Sequence, residues 1–286
     1  MLKNMAEEYT VYLTSMGCMD VYPANSPCRF INRLSTPIIL SNDCEYEVGL
    51  VSVMYPIQYY AILSNDDEFR IFFHTMYHNS NDEEVIHEYT YNPNINVIAG
   101  DMQKLVTVLN DDLIRELKIY FGDRIAKFIK RSRLFRWDDT QKKIALQYVK
   151  GDSFKKGEVQ TIRMRFSGKA GYILGFRSDT EYMIYGKQKA KENLSFTFPS
   201  ENCGVDYIYI YSDIIHPSPF AGKLVNILDC FHIDNGRNKG MHNTLYKTIN
   251  TKILDQISII ITDQNGREIM FSENSSVTCV LHIRPR

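Results

Sequence analysis

Asp206-Tyr207-Ile208-Tyr209-Ile210-Tyr211-Ser212-Asp213 is the stretch on which the fold turns. In an extended strand, side chains alternate between two faces. Here three tyrosines fall on one face and the isoleucines on the other, so the segment is expected to be a strand with one face in a core. On the tyrosine side, Tyr207, Tyr209 and Tyr211 are the candidate subunit-interface residues. A phenol ring offers rigid apolar area ending in a polar tip, which suits both a half-buried sheet face and a contact between subunits.

More strands follow. Leu224-Val225-Asn226-Ile227-Leu228 lies beyond a bend that carries Pro and Gly, and a weaker segment surrounds 246–249. Ile257-Ser258-Ile259-Ile260-Ile261-Thr262 leads into Asp263-Gln264-Asn265-Gly266-Arg267, where Asn-Gly supplies the positive φ of a tight turn. Glu268-Ile269-Met270-Phe271 reads as a returning arm, and Ser276 to Ile283 as a closing strand. The other end of the chain behaves alike. Tyr9-Thr10-Val11-Tyr12-Leu13 alternates, Arg29 to Leu40 is a long bent apolar segment, and Tyr46 to Met54 stops before Pro56. With the short 268–271 arm set aside, three strands from the first sixty residues and five from the last eighty make eight, the number of a single jelly roll.

The middle differs. Phe69-Arg70-Ile71-Phe72-Phe73-His74 suggests a strand. Asp101 is a good N-cap for a helix in which Leu105, Leu109, Leu113, Leu117 and Tyr120 share one stripe, with Gly122 as the expected stop. Residues 134–148 read as a hairpin, 161–166 as a strand and 167–176 as a short helical turn. The expected architecture is mainly β. Residues 1–61 and 204–286 form one antiparallel jelly-roll sandwich, and 62–203 form an α+β insertion with one amphipathic helix. No repeat or low-complexity tract interrupts it.

Composition bounds the function. The 286 residues include 33 Lys+Arg and 34 Asp+Glu, a net charge of −1, which gives no global field for gripping a polyanion. A local basic run, Lys127, Lys130, Arg131, Arg133 and Arg136, reads first as a solvated helix end. The six cysteines lack C-x-x-C spacing, which speaks against a zinc knuckle and for reduced thiols. No basic segment followed by an apolar core opens the chain, and no apolar run approaches the roughly 20 residues of a membrane helix, so synthesis in the cytosol is expected.

The motifs of catalysis are missing: there is no G-x-S-x-G, no P-loop and no G-x-G-x-x-G. His74-x-x-x-His78 would present a metal pair only on a helix, and Ile71-Phe72-Phe73 argues instead for a strand running into a loop that scatters the two rings. The acidic clusters Asp66-Asp67-Glu68 and Asp82-Glu83-Glu84 lack the spaced oxygens and glycine of a calcium loop. Cys203 and Cys230 have the residue type of a nucleophile, with His216 and His232 as potential bases, but nothing in the sequence brings them together. Neither catalysis nor a cofactor nor a metal is therefore expected.

Several stretches together resemble one family, the minor capsid (penton) proteins of Polinton/Maverick elements, adintoviruses and mavirus-type virophages. Tyr9 to Leu13 with Tyr22-Pro23 and Asn25 is similar to the family's opening strand and turn. Tyr46-Glu47-Val48-Gly49-Leu50-Val51 with Tyr55-Pro56 resembles its WEVGL…YP strand, although Tyr46 stands where the family has Trp. Leu174-Gly175-Phe176 matches its LGF element. Tyr207 to Pro217 resembles its YVYCDIIEP segment, with Ser212 in place of Cys. Leu254 to Ile257, Thr262-Asp263 with Gly266-Arg267, and Val280 to Arg284 are similar to its C-terminus. The resemblance implies a jelly roll in a virion, five copies at each icosahedral vertex, and double-jelly-roll major capsid proteins as neighbours, without catalysis. Packaged DNA becomes a further partner if the basic run lies on the inner surface. The competing reading is a jelly-roll receptor- or carbohydrate-binding module.

Overall fold

The computed structural model describes residues 7–56, 59–62, 68–78, 81, 83–150, 159–186, 193–195, 197–200, 202–233, 238–240, 243–271 and 275–286. The chain divides into two compact units: Met1–Tyr60 with Val205–Arg286, and Ala61–Gly204.

The first unit is an antiparallel jelly roll. Its strands are β1 (Tyr9–Thr14), β2 (Arg29–Ile39), β3 (Tyr46–Met54), β4 (Tyr207–Ser212), β5 (Ile227–His232), β6 (the pieces Asn238–Gly240 and Tyr246–Thr248), β7 (Ile253–Thr262) and β8 (Thr278–Pro285). One sheet runs β1-β8-β3-β6, with both pieces of β6 paired to β3. The other runs β5-β4-β7-β2. Strands 1 and 8, 2 and 7, 3 and 6, and 4 and 5 are therefore neighbours. That nesting is a long hairpin wound around a core, the double Greek key of a jelly roll.

Alternation fills the space between the sheets. Leu13, Val48, Leu50, Leu281 and Ile283 come from one sheet and Phe30, Ile210, Ile257 and Ile259 from the other, all without solvent exposure. Each side chain so buried contributes on the order of 1.5–3 kcal/mol from apolar area.

Asparagine side chains finish the exposed edges. The Asn32 amide on β2 accepts from the Thr14 N–H at 2.7 Å and donates to the Thr14 carbonyl at 3.0 Å, tying the edge strands of the two sheets together. Asn25 pairs in the same two-point way with the backbone of Ile31. Unpaired edge groups invite foreign strands, and these amides occupy them.

Several expected local features differ. The 224–232 segment is two elements: Lys223–Val225 pairs with Ser218–Phe220 as a separate hairpin, and only Ile227–His232 joins the sandwich. The arm after Asn265-Gly266 makes a single bridge to β7, Thr262 to Glu268, and Met270–Phe271 pairs with Tyr59 and Tyr60 instead. The Asp263 carboxylate closes that turn by accepting from Asn265 and Arg267 N–H groups.

The second unit has its own core. Its five-stranded sheet takes the order Val149–Lys150, Tyr182–Gly186, Val159–Phe166, Ile71–His78, Glu84–Tyr91. Helix α1 (Met102–Ser132) buries Leu105, Leu109, Leu113 and Leu117 completely. Asp101 Oδ1 caps it by accepting from Lys104 N–H at 2.8 Å. Gly122 does not end the helix, because one interior glycine costs only about 1 kcal/mol. The turn to left-handed backbone comes at Arg133, with φ 49°. Tyr120 leaves the buried stripe: it is exposed and meets the Tyr89 ring. Asn110 clips the helix to the hairpin of Phe135–Asp138 and Lys143–Leu146 by a third two-point amide pair, on the backbone of Phe135. Helix α2 (Gly168–Leu174) starts on Ser167, which accepts from Ala170 N–H, and ends on the left-handed Gly175.

Candidate functional site

The site is built on the outer face of the β5-β4-β7-β2 sheet. Ile208 and Ile210 of β4 point into the core at 1% and 0% exposure, so Tyr207, Tyr209 and Tyr211 point away from it. Tyr207 is 45% exposed, and the other two are half-buried by neighbours within the same unit. The Tyr207 ring meets His232 edge-on at 5.4 Å, and Tyr209 meets Phe220 edge-on at 5.5 Å. The structure thus brings the three predicted tyrosines together on one surface.

A second wall was not visible in the sequence. Between β4 and β5 the chain rises into the hairpin of Ser218–Phe220 and Lys223–Val225. Its turn needs positive φ at two successive residues, 47° at Ala221 and 77° at Gly222, and glycine makes the second inexpensive. The hairpin exposes Phe220 and Leu224, the latter by 72%. Its base is fixed where Ser212 N–H donates to the Asn226 carbonyl at 3.1 Å and Asn226 Nδ2 donates to the Ile215 carbonyl at 2.8 Å.

A cavity of about 440 Å³ lies between this hairpin and the sheet, lined by Tyr211, Leu224, Val225 and Ile260 on its apolar side. Asp213, Asn226 and Ser258 supply its polar groups, whereas the Ser212 side chain points with Ile208 and Ile210 to the core face. Asp213 Oδ1 accepts from Ser258 N–H at 2.9 Å, and burial pushes its carboxyl above the usual carboxylate range. The Ser212 hydroxyl is buried and has no hydrogen-bond partner among the described residues.

The other residues singled out in the sequence sit elsewhere. His74 does not run into a loop: its strand continues through His78, so both lie on one face of Ile71–His78. His74 meets Glu88 at 2.9 Å through Nε2 and Glu181 at 2.6 Å through Nδ1, so its ring is already engaged on both sides. Glu181 is held below the usual carboxylate range, first by His74 and then by Arg163. Asp66, Asp67 and Asp82 lie outside the described residues, as do the side chains of Lys127, Lys130 and Arg131. No group of three metal-binding side chains occurs among the described residues.

All six cysteines are free. Burial pushes the Cys203 thiol up to about 12, and burial followed by the Asp229 carboxylate raises Cys230, so neither is poised as a thiolate. His232 is turned to Tyr207, and the backbone N–H of exposed His216 donates to the Thr248 carbonyl. No helix among the described residues is long and apolar enough to cross a membrane.

The geometry on this unit is that of a jelly roll with an outward aromatic face and no catalytic constellation among the described residues. Among solved structures, 23 chains match it, including the crystal structure of the mavirus penton protein. That comparison covers 98% of this chain and 100% of the mavirus chain, with a TM-score of 0.55 and 10% sequence identity. The fold is therefore penton-like over nearly the whole length, both units included. No family profile matches the sequence, and no curated protein matches it.

Proposed function

We propose that this chain is a structural capsid protein that occupies the vertices of an icosahedral shell as a homopentamer. The end-to-end likeness to the mavirus penton protein carries the reading, since it spans the jelly roll and the unit inserted in it. A pentameric ring needs heterologous contacts, one patch meeting a different patch on the next copy. Tyr207, Tyr209 and Tyr211 supply one such patch, because they face away from their own core. Chemistry at a vertex is not required of the chain, and no catalytic role is assigned to it.

The finer placement rests on the quoted stretches that resemble Polinton/Maverick, adintovirus and mavirus-type virophage proteins. It puts the protein in the virion after synthesis in the host cytosol, with double-jelly-roll major capsid proteins as neighbours. Packaged DNA is a partner at the inner surface if the basic run that includes Arg133 and Arg136 faces it; its signature is binding that weakens steeply with salt.

Light scattering after size-exclusion chromatography tests the reading. The expected result is a particle of about five times the 33.3 kDa chain mass, or five-fold closure on co-expression with a major capsid protein. Replacing Tyr207 and Tyr209 together by serine should leave a folded chain that no longer closes the ring. A stable monomer that binds glycans on an array, and does not assemble under either condition, overturns it.

A further inference from the structure

We propose that the groove between the 218–225 hairpin and the outer face of β4 and β7 docks a peptide segment of a partner polypeptide, one that presents a bulky apolar side chain beside a lysine or arginine. The site shares Tyr211 with the tyrosine face but does not depend on the capsid reading, since it asks for a partner segment and not for a ring.

Two features define the occupant. The first is the apolar wall. Leu224 lines the groove while 72% exposed, opposite the directly paired Tyr211 and Ile260. The volume of about 440 Å³ falls in the range of binding pockets, roughly 300–1,000 Å³.

The second is charge. Asp213 is exposed at the rim of the groove, its carboxyl is raised by partial burial, and its Oδ1 accepts from the Ser258 N–H, with no cation contributing to its state. A carboxylate at a groove rim without a counter-charge is complementary to an incoming cation. A lysine or arginine fits doubly, because its aliphatic stem covers apolar surface while its head reaches the carboxylate.

The groove is also pre-formed. The hairpin is pinned by the Tyr209–Phe220 ring contact and by the Ser212–Asn226 and Asn226–Ile215 hydrogen bonds, so docking need not order the wall.

Selection from a phage-displayed 12-residue random peptide library on the immobilised full-length chain tests the proposal. Enriched peptides are expected to pair a large apolar residue with an adjacent Lys or Arg. They should bind Leu224→Ser and Asp213→Asn at least tenfold more weakly, and Asp213→Lys should shift the selected charge to Asp or Glu. Circular dichroism on each variant separates loss of the site from loss of the fold. Enrichment without a basic preference, or binding that ignores all three substitutions, overturns the proposal. So does amide exchange in which 218–226 is protected in the assembled chain and exposed in an unassembled Tyr207→Ser variant, because the occupant is then a second copy. Failure of the vertex reading shows instead as a monomer in light scattering with peptide selection intact.

Discussion

Asn32 holds Thr14 by both backbone groups: its Oδ1 receives the Thr14 N–H at 2.7 Å and its Nδ2 reaches the Thr14 carbonyl at 3.0 Å. The pair joins β2 in one sheet to β1 in the other, and Asn32 is only 6% exposed. Asn32→Ala removes both partners of a buried backbone pair and should cost about 2–3 kcal/mol in urea unfolding. Asn32→Asp keeps the acceptor but turns a second oxygen toward the Thr14 carbonyl, and should be at least as destabilising at neutral pH. Equal stability of all three proteins would show that the clip contributes nothing.

Gly49 makes room for a different cross-strand contact. On the outer face of its sheet, Tyr246 and His282 are both paired opposite Gly49, and the Tyr246 hydroxyl lies 2.8 Å from His282 Nδ1. A methyl group added at Gly49 would fall 2.3 Å from Thr244 Cγ2 and 3.2 Å from the Tyr246 ring. Gly49→Ala should cost about 1–3 kcal/mol by overpacking. Adding Thr244→Ser, which removes that Cγ2, should restore part of the loss in a double-mutant cycle.

Thiol reactivity should divide the six cysteines in two. Cys28, Cys203 and Cys279 are buried, and burial pushes Cys203 and Cys279 up to about 12. Cys18, Cys44 and Cys230 reach the surface. Labelling with a maleimide at pH 7 should modify these three in the native protein, and the buried three only after denaturant, as read by peptide mass. Fast native labelling of Cys279 would contradict the core.

Acid should weaken one surface link in a predictable direction. Arg29 donates to Glu268, through Nε at 2.8 Å, and this holds the Glu268 carboxyl below its usual range. A depressed carboxylate adds stability above its unfolded pKa and loses it as pH falls through the folded one. The loss therefore runs downward from near the ordinary value of 4.5. Both side chains are more than a third exposed, so solvent screening limits the contribution to under about 1 kcal/mol. Glu268→Gln should flatten this part of the acid limb in pH-dependent unfolding and leave stability near pH 7 little reduced.

Particular elements show how far the sequence alone could be read. The alternation in Tyr207–Ser212 identified both faces of β4, and Asp101 marked a helix start, because each signal acts within a few residues. Gly122 misled for the same reason: a local stop signal of about 1 kcal/mol yields when the helix continues to Ser132. The split of 224–232 was hidden because Lys223–Val225 has strand chemistry whichever partner it takes.

The amino-acid order by itself determined a mainly β chain and, through alternation, which faces of its strands are apolar. Tertiary structure decided what those strands meet. Asn32 finds Thr14 across 18 residues, and Tyr211 faces Ile260 across 49, only after the sheets have closed. Local propensity fixes a residue's face, whereas contact between distant faces requires the loop-closure entropy to be overcome by the packing of the whole sandwich. The groove beside Asp213 therefore exists only in the folded chain.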